Sequence, residues 1–270
     1  MGLLIDAVSL AASPHTRVFD CRFSLMDKTA GRRDYDTSRI PGAQYADLEA
    51  DLSAAAGEDG RHPLPDKDAL VEKLRAWGIN NDSAIVCYDQ NAGAFAARFW
   101  WLLRWLGHED VTVLDGGLDA WLAAGQTTTT EVPTFPGGDF QARPSLTRTV
   151  AASQVLDADN QLLDAREAAR FAGEIEPIDP VAGHIPGAQC ATFTDNLANG
   201  RFRSPAELKA RFEAMGVESG DPVVCYCGSG VTATHNILAL LLAGYPEPAL
   251  YPGSWSGWIT DPSRPIATGS

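Results

Sequence analysis

The chain has 270 residues, 45% of them hydrophobic and 21% charged, a globular balance with room for two domains. Its formal charge of −14, from 35 acidic and 21 basic side chains, excludes a nucleic-acid surface, which would be basic, and means that an anionic ligand needs a local positive pocket. No apolar run reaches the roughly 18–20 residues of a membrane span, an early acid at Asp6 argues against a secretory signal, and five scattered cysteines read as thiols of a reducing, cytoplasmic setting.

In chain order, the first half opens with Val18-Phe19-Asp20-Cys21-Arg22 and then the box Ile40-Pro41-Gly42-Ala43-Gln44. A short apolar run predicts a strand over 84–88, ending in Cys87-Tyr88-Asp89. A helix rich in Phe, Trp and Leu follows over 94–106, then a strand over 111–114 and the segment Gly116-Gly117-Leu118-Asp119-Ala120-Trp121. Trp100, Trp101 and Trp105 fall at helical spacing and read as core. From Gln126 to Gly138 helical period is lost among Thr, Pro and Gly, which marks a linker at 126–148.

The second half repeats the first. Leu162-Leu163-Asp164-Ala165-Arg166 stands 144 residues after its counterpart, Ile185-Pro186-Gly187-Ala188-Gln189 145 after, and Gly253-Ser254-Trp255-Ser256-Gly257-Trp258 137 after. A strand over 222–226 matches 84–88 at 138. A helix over 231–243, capped by Gly244, and a strand over 249–251 complete the pattern. Four matches in one order define a duplicated domain, with copies at 1–125 and 149–270. Strand–helix–strand alternation gives each copy an α/β fold, a parallel sheet flanked by helices, in which ligands sit beyond the carboxyl ends of the strands.

Cys227 stands at such an end, in Cys225-Tyr226-Cys227-Gly228-Ser229-Gly230-Val231-Thr232-Ala233. Free amides and the dipole of the following helix favour negative charge there, so this thiol should ionise more easily than a free one, and the thiolate is the reactive form. Gly228 and Gly230 relax the backbone so that amides point inward. Ser229 offers a hydroxyl to the transferred or leaving group, and Thr232 a helix cap or a further donor. Asp89 takes the place of Cys227 in the first copy. The remaining candidates are structural: Cys225 and His235 read as core, and the Cys225–Cys227 pair lacks the partners of a zinc site.

The two Ile-Pro-Gly-Ala boxes, the Gly-Gly-Leu-Asp-Ala-Trp segment and the loop after Cys227 together resemble the rhodanese superfamily, in its tandem-domain sulfurtransferase branch. The resemblance implies five-stranded parallel sheets, a first domain without the nucleophile, and sulfur transfer through a Cys227 persulfide without metal or organic cofactor. The donor it implies is a small anion. The loop wording is similar to 3-mercaptopyruvate sulfurtransferases, with thiosulfate:cyanide sulfurtransferase (rhodanese) or a non-turnover persulfide carrier as alternatives. Acceptors would be cyanide, a thiol or a thioredoxin-like protein, with no nucleic-acid or membrane partner. Arg170, in an Arg-Phe-x-Gly context, would grip the donor with the backbone and side chains of Gly228, Gly230, Val231 and Thr232 around it. The family's second arginine is replaced by Ile178, so Arg170 alone implies a weakly held carboxylate. Arg39 stands where the family has a first-domain histidine that relays to the loop serine, and with Arg32 and Arg33 it would supply positive charge to the site. His184 keeps that place in the second copy. A cysteine phosphatase is excluded because Ala233 stands where the phosphate-holding arginine belongs.

Overall fold

The computed structural model describes residues 2–90 and 92–269, which form two compact units. The first runs to Ala54 and resumes at Leu64–Leu146; the second joins Ala55–Pro63 to the chain from Thr147 onward. This division differs from the boundaries read from composition at two places. The short segment 55–63, embedded in the first repeat, packs with the second. The strip 126–146 packs on the first unit: Arg39 and Thr129 exchange backbone hydrogen bonds of 3.0 and 2.9 Å, Phe140 N–H donates to Ile79 O at 3.1 Å, and the Phe140 ring is buried.

The first unit holds β1 (Leu4–Ile5), β2 (Arg17–Asp20), β3 (Ala43–Tyr45), β4 (Ile85–Tyr88) and β5 (Val111–Leu114), in the order β1-β5-β4-β2-β3. The second holds β6 (Arg148–Thr149), β7 (Gln161–Asp164), β8 (Gln189–Cys190), β11 (Val223–Tyr226) and β12 (Ala249–Leu250), in the order β6-β12-β11-β7-β8, beside an antiparallel pair β9 (Leu197–Ala198) and β10 (Arg201–Phe202). Every pairing in both five-stranded sheets is parallel. The central strands, Ile-Val-Cys-Tyr and Val-Val-Cys-Tyr, are buried at every residue, as a strand covered on both faces must be.

Those covers are helices. In the first unit, Val18, Val86 and Tyr88 pack with Ala7 and Leu10 of α1 (Ala7–Ala11) and with Leu118 and Trp121, carried on what is the fifth helix of the chain. Phe19 points the other way, 5.1 Å from Phe99 and 5.1 Å from Trp77. The helices between are α2 (Ala30–Thr37), α3 (Lys67–Ala76) and α4 (Ala94–Trp105), and Leu118 and Trp121 belong to α5 (Gly117–Ala123). In the second unit α6 (Ala168–Ala172) follows β7, α7 (Pro205–Ala214) packs on α8 (Thr232–Leu242), and α8 on β11. Trp255 and Trp258 of α9 (Ser254–Trp258) pack with Leu162, Val224 and Tyr226 on the opposite face. Among the described residues no helix is long and apolar enough to cross a membrane.

The repeated motifs are parts of one buried contact. Arg22 forks onto Asp20, with Nη2 2.6 Å from Oδ2, and donates to Ser38 O at 2.6 Å. Tyr88 donates its hydroxyl to Asp20 Oδ2 at 2.6 Å and accepts from the Ile40 amide at 3.2 Å. In the second unit Arg166 Nη2 lies 2.7 Å from Asp164 Oδ2 and 2.7 Å from Gly183 O, while Tyr226 accepts from Ile185 N–H at 3.2 Å. The Asp-x-Arg motif, the tyrosine ending the central strand and the Ile-Pro-Gly-Ala box therefore meet at one point. Burial, followed by the nearby carboxylate, pushes both tyrosine hydroxyls well above their ordinary range, so each remains a protonated donor.

Arg39 does not serve as expected. It is buried, donates to the carbonyls of Tyr35, Thr130 and Glu131 and lies 4.1 Å over the Tyr35 ring. Arg32 pairs with Asp36 and Arg33 with Asp27. The charge of Arg39 is used in tying the 130–131 strip to α2, its guanidinium bridging the Tyr35 carbonyl and those of Thr130 and Glu131. Removing one partner of a buried ion pair leaves the other charge uncompensated. Arg22→Met is accordingly expected to destabilise the first unit by about 3–5 kcal/mol, read as a lower urea midpoint; a shift worth less than about 1 kcal/mol would show that Asp20 has sufficient partners without it.

Candidate active site

The two sheets end differently at one equivalent position. Asp89 follows β4, and its carboxylate accepts from the amides of Gly93, Phe95 and Ala96 at 2.9, 2.8 and 3.0 Å. It thereby places a negative charge at the N-terminus of α4, where unsatisfied N–H groups and the helix dipole favour one. The residue after Gln90 in that loop, Asn91, lies outside the described residues. Cys227 follows β11 in the same way, and the surroundings repeat: Leu118 N–H donates to Asp89 O at 3.0 Å and Trp255 N–H to Cys227 O at 2.9 Å.

The Cys227 loop carries no carboxylate. Among the described residues the amides of Gly228, Ser229 and Val231 donate to no protein acceptor, and α8 begins immediately beyond them. Thr232 heads that helix without capping it; its N-cap is Val231 and receives no side-chain bond. The two glycines have different reasons. Gly230 has φ +75, and a Cβ there would meet Pro252 O at 2.5 Å. Gly228 has no such backbone demand, but a Cβ on it would lie 2.9 Å from Arg61 Nη2 and 3.5 and 3.6 Å from Nη2 and Nη1 of Arg170. Glycine at 228 lets two guanidinium groups approach the main chain next to Cys227. Ser254, buried with φ +52, accepts from the Cys227 amide at 3.1 Å and donates to Tyr251 O at 3.0 Å, a strained residue kept by two hydrogen bonds.

Segment 55–63 completes the site. Gly57 and Gly60 exchange backbone bonds of 3.0 Å, Thr260 Oγ1 donates to Glu58 O at 3.0 Å, and the Arg61 amide donates to Ser256 Oγ at 3.1 Å. This strap brings His62 Nδ1 to 2.8 Å from Ser229 Oγ, both residues being buried. It also brings Arg61 to Asp179. A line of alternating charges results: Asp164, Arg166, Glu176, Arg170, Asp179, Arg61. Burial opposes the charge on Glu176, yet hydrogen bonds from Arg170 and from the amides of Asp179 and Ile178 outweigh it and hold the carboxyl below its ordinary value.

The structure brings Cys227, Gly228, Ser229, Gly230 and Arg170 together. Sequence reasoning missed Arg61, His62 and Asp179. It sought the serine's histidine before the Ile-Pro-Gly-Ala box, where Arg39 stands, and His184 in the second copy instead stacks on Phe171 at 3.7 Å and bonds its carbonyl. The available signal was that His62, one of five histidines, lies in Gly57-Glu58-Asp59-Gly60-Arg61-His62-Pro63, a short polar loop punctuated by Gly and Pro. Cys225 is buried, and burial pushes its thiol far up; His235 is buried between Asn196 and the Phe202 ring.

The repeated parallel α/β sheet agrees with the comparisons with known proteins. The rhodanese-like domain matches residues 6–124 and 149–261, and the chain belongs to this family, in its tandem-domain sulfurtransferase branch. It is 55% identical over 98% of both chains to a Pseudomonas aeruginosa protein named as a probable 3-mercaptopyruvate sulfurtransferase. It is 34% identical, over 91% of this chain and 86% of the other, to the thiosulfate sulfurtransferase of Bos taurus. The crystal structure of SseA from Escherichia coli, described as a 3-mercaptopyruvate sulfotransferase, covers 95% of this chain and 100% of its own with a TM-score of 0.83 and 32% identity.

Asp89→Ala would strip three amides of their acceptor at the head of α4. A loss of about 1–2 kcal/mol is expected, the range for a removed helix cap, measured by urea denaturation. Asp89→Cys should lose a similar amount and gain no persulfide on donor treatment, read by mass spectrometry of the peptide containing residue 89.

Proposed function

We propose that this chain takes the thiol sulfur of 3-mercaptopyruvate, holds it as the outer (sulfane) sulfur of a persulfide on Cys227, and passes it to a thiophilic acceptor. The observation that carries this reading is the contrast between the two copies. Where Asp89 fills the amides at the head of α4 with a built-in carboxylate, the loop after Cys227 leaves those of Gly228, Ser229 and Val231 for another anion, first a thiolate and then the terminal sulfur of a persulfide. Preorganised donors aimed at developing charge are the largest lever a site of this kind has.

In the first half-reaction the Cys227 thiolate attacks the donor sulfur. A sulfur–sulfur bond forms as the bond from sulfur to C3 breaks, and its electron pair leaves on the pyruvate enolate. The proton of the donor thiol passes through the Ser229 hydroxyl to His62 Nδ1 and returns to C3, so that pyruvate departs and charge is conserved. In the second half-reaction a cyanide, a small thiolate or a reduced thioredoxin-like protein attacks the outer sulfur, and Cys227 leaves as the thiolate. Two half-reactions on one nucleophile give ping-pong kinetics, and each balances without a metal or redox cofactor. Five free thiols suit a reducing, cytoplasmic compartment.

Thiosulfate is the second donor to consider, since a guanidinium fork binds a sulfonate as it does a carboxylate and sulfite leaves without needing a proton. A carrier that loads once and waits for its partner protein would show no steady turnover with small acceptors.

Cys227→Ser should abolish transfer with the fold retained, because serine is nearly isosteric and far less nucleophilic. Treatment of the parent protein with donor should add one sulfur to the peptide containing Cys227, and substantial turnover in the serine variant would overturn the mechanism. Ser229→Ala and His62→Gln should each slow mercaptopyruvate use by about a hundredfold, the scale of a lost acid–base partner, and thiosulfate use by much less. Equal effects on both donors, or none, would remove the proton relay and with it the preference for mercaptopyruvate.

A further inference from the structure

The charge line that runs from Asp164 to Arg61 contains three guanidinium groups and three carboxylates, and its end beside Cys227 is the cationic one. Asp179, only 3% exposed in its side chain, spans the last two arginines, with Oδ1 on Arg61 Nη1 and Oδ2 3.1 Å from Arg170 Nη2. One carboxylate thus holds two planar forks side by side and leaves donors on each unused. Arg170 spends Nε and Nη2 on Glu176 and Asp179, and among the described residues Nη1 has no acceptor. Arg61 spends Nη1 alone; its Nε is buried without a partner, and its Nη2 is the group nearest the Cβ position of Gly228.

A buried guanidinium N–H without an acceptor costs free energy unless a ligand supplies one. Arg61 is also held for the purpose. Its amide is fixed on Ser256, and a Cβ on the preceding Gly60, at φ +100, would strike Ser256 Oγ at 2.7 Å and Gly253 O at 2.8 Å, so the strap is seated as tightly as its main chain allows. With side-chain exposures of 25% for Arg61 and 13% for Arg170, the pair opens to solvent on the Arg61 side. At 178 the side chain is apolar and its amide is occupied by Glu176.

We infer that Arg61 is the second anion-binding residue of the donor site, and that Arg61 and Arg170, clamped side by side by Asp179, together grip the carboxylate of the donor next to Gly228. This deepens the mercaptopyruvate reading and rests on it for the identity of the anion. It also replaces the expectation of a weakly held carboxylate, since the strap supplies the guanidinium that position 178 lacks. The selectivity that follows is for donors with a planar anionic end over neutral thiols, because two fixed forks recognise geometry as well as charge.

The test is binding of pyruvate, with no sulfur moved, to the full chain and to Arg61→Met, Arg61→Lys and Arg170→Met, by titration calorimetry, with thermal unfolding to confirm that each variant is folded. Pyruvate should bind the parent, at least about tenfold more weakly to Arg61→Met, equivalent to about 1.4 kcal/mol, and comparably more weakly to Arg170→Met. Arg61→Lys should lie between, since it keeps the charge and loses the fork. The Michaelis constant for mercaptopyruvate should rise in the same order. If Arg61→Met binds pyruvate as the parent does, or if the parent binds neither pyruvate nor sulfite, the assignment is overturned. If the parent ignores pyruvate but binds sulfite through Arg61, the role of Arg61 stands and the mercaptopyruvate reading falls. Should Arg61→Met fail to fold, the Lys variant decides: parent-like pyruvate affinity in it would overturn the need for the fork.

Discussion

Two buried aspartate–arginine pairs, one in each unit, tie the rest of the structure together. Each lies at the carboxyl end of the strand beside the central one, where the chain leaves the sheet, and each is reached by the tyrosine that ends that central strand and by the turn of the Ile-Pro-Gly-Ala box. A charge pair so deep gives little net stability over apolar residues of the same size, but losing half of it is costly. Its contribution is to fix which strand ends meet which loops. In the second unit the same pair is the inner terminus of the charge line, so the positions of Arg170 and Arg61 beside Gly228 descend from it through two shared carboxylates.

The difference between the copies is a difference in how one anion site is filled. A carboxylate covalently in place at 89 is always present and never reacts. On the proposed mechanism, a sulfur at 227 would be charged, extended by one atom and restored. The same helix-head electrostatics holds a fixed carboxylate in one copy and, on the proposed reading, would support group transfer in the other.

Much of this was legible in the sequence because it depends on local pattern. Apolar runs bounded by turns marked β4, β5 and β11, and the periodic helices after them, while repetition at nearly constant spacing exposed the duplication and the odd residue at 227. The loop glycines and Arg170 could be placed because they sit in recognisable strings. Arg61, His62 and Asp179 could not, since their meeting depends on a strap leaving its own repeat, and nothing in the apolar periodicity of 55–63 says where a short loop will dock. Arg39 was misread for a related reason. A cation next to a familiar box suggested a charged site, whereas its acceptors are main-chain carbonyls: that of nearby Tyr35 and those of Thr130 and Glu131 far along the chain, the latter two in a strip that composition marked as linker.

The placement of residues 55–63 has a bearing on how the protein can be divided. The chain passes between the two units at 54–55, again at 63–64 and again at 146–147, so the units are interleaved in covalent order even though each has its own sheet. A piece beginning in the 126–148 region would carry Cys227 and its loop but neither Arg61 nor His62. Such a piece would keep a whole sheet and its thiol loop yet lack the side chains that the strap brings to Ser229 and Asp179.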